Sequence, residues 1–147
     1  MLAVPRPELS VVVPTWNQIR FTRACVDSLR RNTDVAFELI IVDNGSDPAN
    51  AEEAEALADR FIGNATNLGF ARAMNQGLAV ARGEVVAFVN NDTELPASWA
   101  SRLLATLAAQ PRPGIVLPAV TAAGNQATVR QSPADRQTIF RPFTAIP

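Results

Sequence analysis

The sequence predicts an α/β layered domain built on a mostly parallel central sheet. Three observations carry this. Strand-like and helix-like patterns alternate four times, the strand segments are short apolar runs rich in β-branched residues, and the segments are bounded by recognisable start and stop signals. A strand returns parallel to its predecessor only through a long connection, so the alternation implies parallel pairing through right-handed crossovers. The chain has 147 residues, about one ordinary domain, enough to bury roughly 68 to 70% of the surface exposed when unfolded.

Residues 9–13 (LSVVV) form a β-branched run ended by Pro14, as expected for a strand buried on both faces. Asn17 is placed to cap a helix reaching about Arg31, with Phe21, Cys25 and Leu29 spaced four apart on one apolar face. The second strand, 37–42 (FELIIV), ends at Asp43. Asp47 followed by Pro48 signals a helix start; Glu52, Glu53 and Glu55 lie in its early turns, where the macrodipole favours acids, and it runs to about Asp59. A short strand near 61–63 leads to Asn67 and Gly69, after which Met74, Leu78 and Ala81 mark a helical face that Gly83 terminates. Residues 84–89 (EVVAFV) are the fourth strand. Pro96 opens a helix with Trp99, Leu103 and Leu107 on one face, and 114–120 returns to strand. Beyond Val120 the pattern changes: 122–126 (AAGNQ) reads as a hairpin turn, while Pro133, Pro142 and Pro147 break up an irregular tail over 128–147. No internal repeat, low-complexity segment or second domain is visible, so 1–147 reads as one domain.

Composition narrows the chemistry. Hydrophobic residues make up 48% and charged residues 18%, which suits a globular core rather than a disordered chain. Thirteen basic against fourteen acidic residues leave a formal charge of -1, with no basic block for nucleic acid or an anionic membrane. No apolar stretch approaches the roughly 18 residues of a membrane span, and the first eight residues lack the pattern of a signal peptide; a cytoplasmic place is expected. Cys25 is the single cysteine, so it forms no internal disulfide, and its spacing suggests buried packing. There is no histidine, which removes the commonest general base and every Ser-His or Cys-His arrangement. What remains is carboxylates, amides, backbone groups or a hard cation.

In an open parallel sheet, ligands bind beyond the carboxyl ends of the strands, and the unusual polar residues all fall there. The first strand ends in Pro14, Thr15, Trp16 and Asn17, and the second in Asp43, Asn44, Gly45 and Ser46. The loop after the third carries Asn67, Gly69 and Phe70, with Asn75 a turn further on. The fourth ends in Asn90, Asn91 and Asp92. Taken singly, Asn17 and Asp47 could be helix caps and Asn44-Gly45 a turn. Asn90 and Asn91 have no capping task before Pro96, and four clusters at four strand ends point to one binding rim. The chain has neither a G-x-x-x-x-G-K-[ST] loop nor a G-x-G-x-x-G turn after the first strand, which disfavours a Walker-type ATPase or a standard dinucleotide dehydrogenase. Carboxylate and amide oxygens suit a hard divalent cation that keeps waters and is completed by ligand phosphates.

The series SVVVPTWNQ, IIVDNGS, NLGFARAMNQG and FVNNDTEL resembles the successive motifs of family 2 glycosyltransferases, in family order and at family spacing, over residues 9–120. The resemblance implies the A-type nucleotide-diphospho-sugar transferase fold, a three-layer α/β/α Rossmann-like arrangement, and inverting transfer to an acceptor hydroxyl. It places Pro14 to Asn17 and Asp43 around the nucleoside, with Asp43 accepting from the base, and the segment from Asn67 to Asn75 beside the ribose and diphosphate. Asn90, Asn91 and Asp92 occupy the family's DxD motif. Because Asn90 replaces the first acid, Asp92 is left as the main protein ligand for Mg²⁺ or Mn²⁺.

The donor implied is a UDP- or dTDP-sugar, and the acceptor a saccharide or lipid-linked hydroxyl. The setting would be cell-surface polysaccharide biosynthesis in the cytoplasm, at the inner membrane face. The family's base lies in a later acidic segment that is not found here; after Asp92 and Glu94 the next carboxylate is Asp135, on an irregular stretch. The expectation is a donor-binding part incomplete at its C-terminus, with Ile139, Phe140 and Phe143 offering an edge for self-association. The rival from another class is a catalytically silent sugar-nucleotide-binding or assembly module. A nucleotidyltransferase is more distant, since residues 15–20 supply no Gly-rich basic loop.

Overall fold

The structure, a computed structural model, describes residues 6–109. The strand expected over 114–120, the turn over 122–126, the tail and Asp135 lie outside the described residues. The chain divides into two units, the first ending at Ala100 and the second beginning at Ser101. In the first, β1 (Leu9–Thr15), β2 (Phe37–Asp43), β3 (Arg60–Gly63) and β4 (Val85–Phe88) alternate with α1 (Ile19–Asn32), α2 (Pro48–Leu57) and α3 (Phe70–Val80). The last helix, α4 (Trp99–Ala108), spans the division.

All described pairings are parallel, in the order β3-β2-β1-β4. The path steps from β1 to β2 to β3 in one direction, then crosses back to β4 on the other side of β1. With right-handed crossovers this puts α1 and α2 on one face and α3 on the other, the expected three layers. Val12, Ile40 and Val42 form one core cluster with Ala73 and Met74 of α3. Val11, Val13, Leu39 and Ile41 alternate onto the opposite face and are fully buried. Each such side chain contributes about 1.5–3 kcal/mol by leaving water, which explains why the apolar runs of β1 and β2 were legible as central strands. Gly77 belongs to the same packing: a Cβ there would collide with the Val12 side chain, so α3 lies against β1 only because this residue has none.

Several boundaries differ from expectation for local reasons. β1 continues through Pro14 to Thr15. Val12 turns its carbonyl to the Val89 N–H, so the missing Pro14 N–H faces the side from which β4 has already departed, and nothing is lost. α4 begins at Trp99 rather than Pro96. Ser98 sits at φ 58 with its N–H donated to the Asn32 carbonyl, and the Trp99 indole N–H bonds Thr33 Oγ1 at 3.0 Å; the segment docks on the end of α1 before it can coil. α2 stops at Leu57, and no acid occupies its first turn, so its glutamates are not dipole partners. Glu53 instead pairs with Arg23 of α1. Phe21 and Leu78, expected in buried stripes, are exposed; the buried face of α1 is Thr22, Cys25, Val26, Ser28 and Leu29.

Candidate functional site

β1 and β2 stay paired to Thr15 and Asp43, whereas β4 leaves β1 after Val12 and Phe88. The order of connection also reverses between β1 and β4, so this is the topological switch point of the sheet, where a crevice must open. A cleft of about 650 Å³ lies there, lined by Pro14, Thr15, Trp16, Gln18, Phe21, Asn44, Asn67, Phe70, Asn90, Asn91 and Asp92. Residues from all four strand ends meet in it. Gln18 and Phe21 were not foreseen. Gln18 closes the PTWNQ run, but Phe21, one turn into an amphipathic helix, carried no sequence signal separating a cleft wall from core.

Asn17, Asp43, Gly45 and Ser46 lie outside the lining and shape the turns behind it. Asp43 is 2% exposed and absent from the lining; its carboxylate accepts from the Ser46 N–H at 3.1 Å and from the Ser46 hydroxyl. Ser46 Oγ in turn accepts from the Asn17 N–H at 2.6 Å. Asn17 does not cap α1. It sits at φ 53 and its side-chain oxygen accepts from the Asp47 N–H at 2.9 Å, tying the ends of β1 and β2 together. The first N–H of α1 is satisfied from α2, where Asn50 Oδ1 accepts from the Ile19 N–H at 3.0 Å. Asp47 does cap α2, and its bonds to the Asn50 N–H and side-chain amide hold its carboxyl below the usual aspartate value. Gly45, at φ 83, is required: a Cβ would lie 2.6 Å from the Thr66 carbonyl carbon.

Carboxamides knit the loop after β3 to β2. Asn44 Nδ2 donates to Asn67 Oδ1 at 2.9 Å, Asn44 Oδ1 accepts from the Leu68 N–H at 2.9 Å, and Asn64 and Gln76 pair through both amides at 2.8 Å. Asn67 Oδ1 also accepts from the Gly69 N–H, which sets the entry to α3. α3 itself has no side-chain cap at Gly69, and Phe70, its first residue, lines the cleft. Its leading N–H groups are therefore available to an anion. Asn75 lies exposed on α3, outside the lining.

The aromatic side chains are placed at the mouth. Trp16 is 57%, Phe21 41% and Phe70 59% exposed, and the Arg20 guanidinium stacks 4.5 Å from the Phe21 ring centroid. At the opposite wall, Asn91 Nδ2 donates to Thr22 Oγ1 at 3.1 Å, and Cys25 Sγ contacts the Asn90 carbonyl at 3.5 Å. Burial pushes the Cys25 thiol up to about 11; a Thr93 N–H bond works against that and the Asp92 charge adds to it. Cys25 is thus an inert packing group, as its spacing suggested. Among the described residues no three carboxylate or thiol ligands gather into a ready metal cluster. The donors at the end of β4, one carboxylate beside two carboxamides, fit a hard cation held largely by its ligand's oxygens.

A parallel sheet in the order 3-2-1-4, with helices on both faces and a polar cleft at its switch point, is a doubly wound α/β arrangement, and its likeness to solved structures makes it the A-type nucleotide-diphospho-sugar transferase class of fold. TarS 1-349 of S. aureus in complex with UDP-GlcNAc shares it, with a TM-score of 0.61 at 26% identity, over 69% of this chain and 31% of that one. The mannosyltransferase PcManGT of Pyrobaculum calidifontis, solved with GDP-Man and Mn²⁺, gives a TM-score of 0.56 at 26% identity, over 74% and 34%. Residues 10–145 match the family described as glycosyl transferase family 2, and the chain belongs to that family. Among curated relatives, EpsJ of Bacillus subtilis (strain 168), an uncharacterized glycosyltransferase, is 34% identical over 66% of this chain and 29% of its own length. The PGL/p-HBAD biosynthesis glycosyltransferase of Mycobacterium tuberculosis (strain ATCC 25177 / H37Ra) is 34% identical over 60% and 37%. The chain thus spans less than two fifths of the length of these relatives. Among the described residues no helix is long and apolar enough to cross a membrane.

Proposed function

We propose that the cleft binds a nucleotide-diphospho-sugar, a UDP- or dTDP-sugar, together with Mg²⁺ or Mn²⁺, as the donor side of an inverting glycosyltransferase. The acceptor is a saccharide or lipid-linked hydroxyl met at the cytoplasmic face of a membrane, in the assembly of cell-surface polysaccharide. The observation that carries this reading is the charge of the lining: among the described residues it includes one ionisable side chain, and that is the carboxylate of Asp92. Two like unit charges 4 Å apart repel by about 4 kcal/mol at an effective dielectric of 20. A diphosphate settles beside Asp92 only if positive charge accompanies it, and no Arg of the lining supplies any.

A divalent cation held by Asp92, with the Asn90 and Asn91 carboxamides alongside, would neutralise the charge that develops on the nucleoside diphosphate as the sugar leaves. The chain's own groups do the rest. The uncapped N-terminus of α3 offers N–H donors to phosphate oxygens, and Trp16 offers an exposed apolar face to the base. Asp43 acts from behind the pocket by fixing the turn through Ser46. Relatives of the fold bound to UDP-GlcNAc, or to GDP-Man and Mn²⁺, support the ligand class.

The acceptor hydroxyl also needs a base within about 2.6–3.2 Å of its proton. Asp92 is the one carboxylate lining the cleft among the described residues, and on this reading it faces the cation. That observation favours, as a second reading, a silent sugar-nucleotide-binding module. Calorimetry and a transfer assay separate the cases. UDP or dTDP should bind at least about tenfold more tightly with Mn²⁺ than with EDTA, one charge-assisted contact's worth, and Asp92→Asn should abolish the difference. Metal-independent binding of equal strength in both proteins would refute the cation site. In transfer assays across UDP-, dTDP- and GDP-sugars with mixed acceptors, little turnover is expected from residues 1–147. Robust turnover lost in Asp135→Asn would show that the base lies within this chain and that the donor-only reading is wrong.

A further inference from the structure

One face of α1 carries a polar ladder beneath residues 90–98. Thr22 Oγ1 lies 2.8 Å from Thr15 Oγ1 and accepts from Asn91 Nδ2 at 3.1 Å. One turn on, Cys25 contacts the Asn90 carbonyl and the Thr93 N–H. Ser28 Oγ then accepts from the Leu95 N–H at 3.1 Å, and Asn32 Nδ2 donates to the Leu95 carbonyl at 2.6 Å while its own carbonyl takes the Ser98 N–H. The spacing follows the helix, so one rigid element holds the whole segment that presents Asp92.

Thr22 differs from the other rungs because it touches side chains that line the cleft on both sides, Thr15 and Asn91. It is itself fully buried, with Thr15 4% exposed, so water does not replace these bonds. Asn91 commits its NH₂ to Thr22, which leaves the carboxamide oxygen as that side chain's acceptor for a ligand. A Thr22 hydroxyl that accepts from Asn91 can donate its proton to Thr15, which leaves the Thr15 proton for a ligand oxygen. One buried hydroxyl thereby sets which atoms face the ligand from two walls of the cleft.

We propose that Thr22 is a positioning residue for the cation end of the cleft, fixing the Asn91 carboxamide beside Asp92 and so tuning the metal-dependent part of nucleotide affinity. The inference rests on the binding function proposed above. Its test is calorimetry of UDP with the full chain, in Mn²⁺ and in EDTA, for the wild type, Thr22→Val and Thr22→Ser. Valine keeps the shape and loses the hydroxyl; serine keeps the hydroxyl. The Mn²⁺ enhancement should fall about tenfold in Thr22→Val, the worth of one buried hydrogen bond, with affinity in EDTA changed less than about twofold and Thr22→Ser close to wild type. An equal loss with and without metal would mean a merely structural role and overturn the proposal, as would an unchanged enhancement in folded Thr22→Val. If Thr22→Val does not fold, Thr22→Ala removes the same hydroxyl: loss of enhancement supports the proposal and full retention overturns it. A wild type that binds no nucleotide under either condition overturns the binding function and this inference with it, an outcome distinct from normal binding that ignores Thr22.

Discussion

Asp43 sits deeper than its place at the end of a strand suggests. A carboxylate at the end of an apolar strand reads as a ligand group on a rim, where its removal would leave the fold intact. In the structure it is 2% exposed and both its oxygens are engaged by Ser46. Asp43→Ala should therefore destabilise the protein by about 1–3 kcal/mol, the usual penalty for stranding a buried partner, and weaken nucleotide binding as the β2 turn relaxes. Urea unfolding followed beside UDP titration checks both. A stability unchanged within about 0.5 kcal/mol, inside the range of surface substitutions, would mean the turn does not depend on this carboxylate. Asn17 was misread as a cap. Its sequence position suits an N-cap, but the first N–H of α1, that of Ile19, is taken by Asn50, thirty-one positions from Ile19 in the chain, and no local pattern reveals a bond of that range.

At the scale of elements, strands were more legible than helix faces. Apolar runs such as FELIIV have little choice but burial, and β2 lies where the run places it. Helical stripes proved less reliable: Phe21 and Leu78 keep the spacing of buried neighbours yet stay exposed, and for Phe21 the reason is that cleft and core lie on adjoining faces of α1. Glu38 is a polar residue within an apolar strand, and it joins elements at the end of the sheet away from the cleft. Its carboxylate accepts from Ser10 Oγ and the Arg82 N–H, both at 2.6 Å, and pairs with the Arg82 guanidinium at 2.8 Å.

Burial alone would raise the Glu38 pKa, but the Ser10 and Arg82 bonds more than offset it, and the carboxyl is held below its ordinary value. A group depressed in the folded state adds stability that is fully present above its unfolded pKa, about 4.3 for glutamate, and is lost as pH falls through the folded value. Unfolding midpoints should accordingly be flat near neutrality and decline below about pH 4.3, with Glu38→Gln less stable at pH 7 and less sensitive to acid. Thermal scans from pH 7 to pH 3 test this, and parallel pH profiles for the two proteins would exclude Glu38 as a source of the acid dependence.

For the molecule as a whole, the cleft is assembled from strand ends, so its integrity and that of the sheet are one property. The motif order made the fold and the general place of the site readable, because parallel topology gathers the carboxyl ends of strands whatever the loops contain. The network behind the lining was not readable. Which carboxamide faces the ligand and which holds a loop depends on pairings such as Asn44 with Asn67 and Asn64 with Gln76, and those exist only once β2, β3 and α3 are in place.

The same dependence makes stability a measure of binding. A ligand that binds the folded state alone stabilises it by about 2.7 kcal/mol at a hundred times its dissociation constant. For a unit of this size that is a rise in Tm of several degrees. Because the cleft lining among the described residues has a carboxylate and no cationic side chain, UDP without metal should raise Tm little, and Mn²⁺ without nucleotide should do the same, having one charged ligand, Asp92, to hold it. Together they should raise Tm by more than the sum of the separate shifts, and the excess should disappear in Asp92→Asn. Additive shifts in the wild type would mean that nucleotide and cation bind independently, and the charge argument for a shared site would fail.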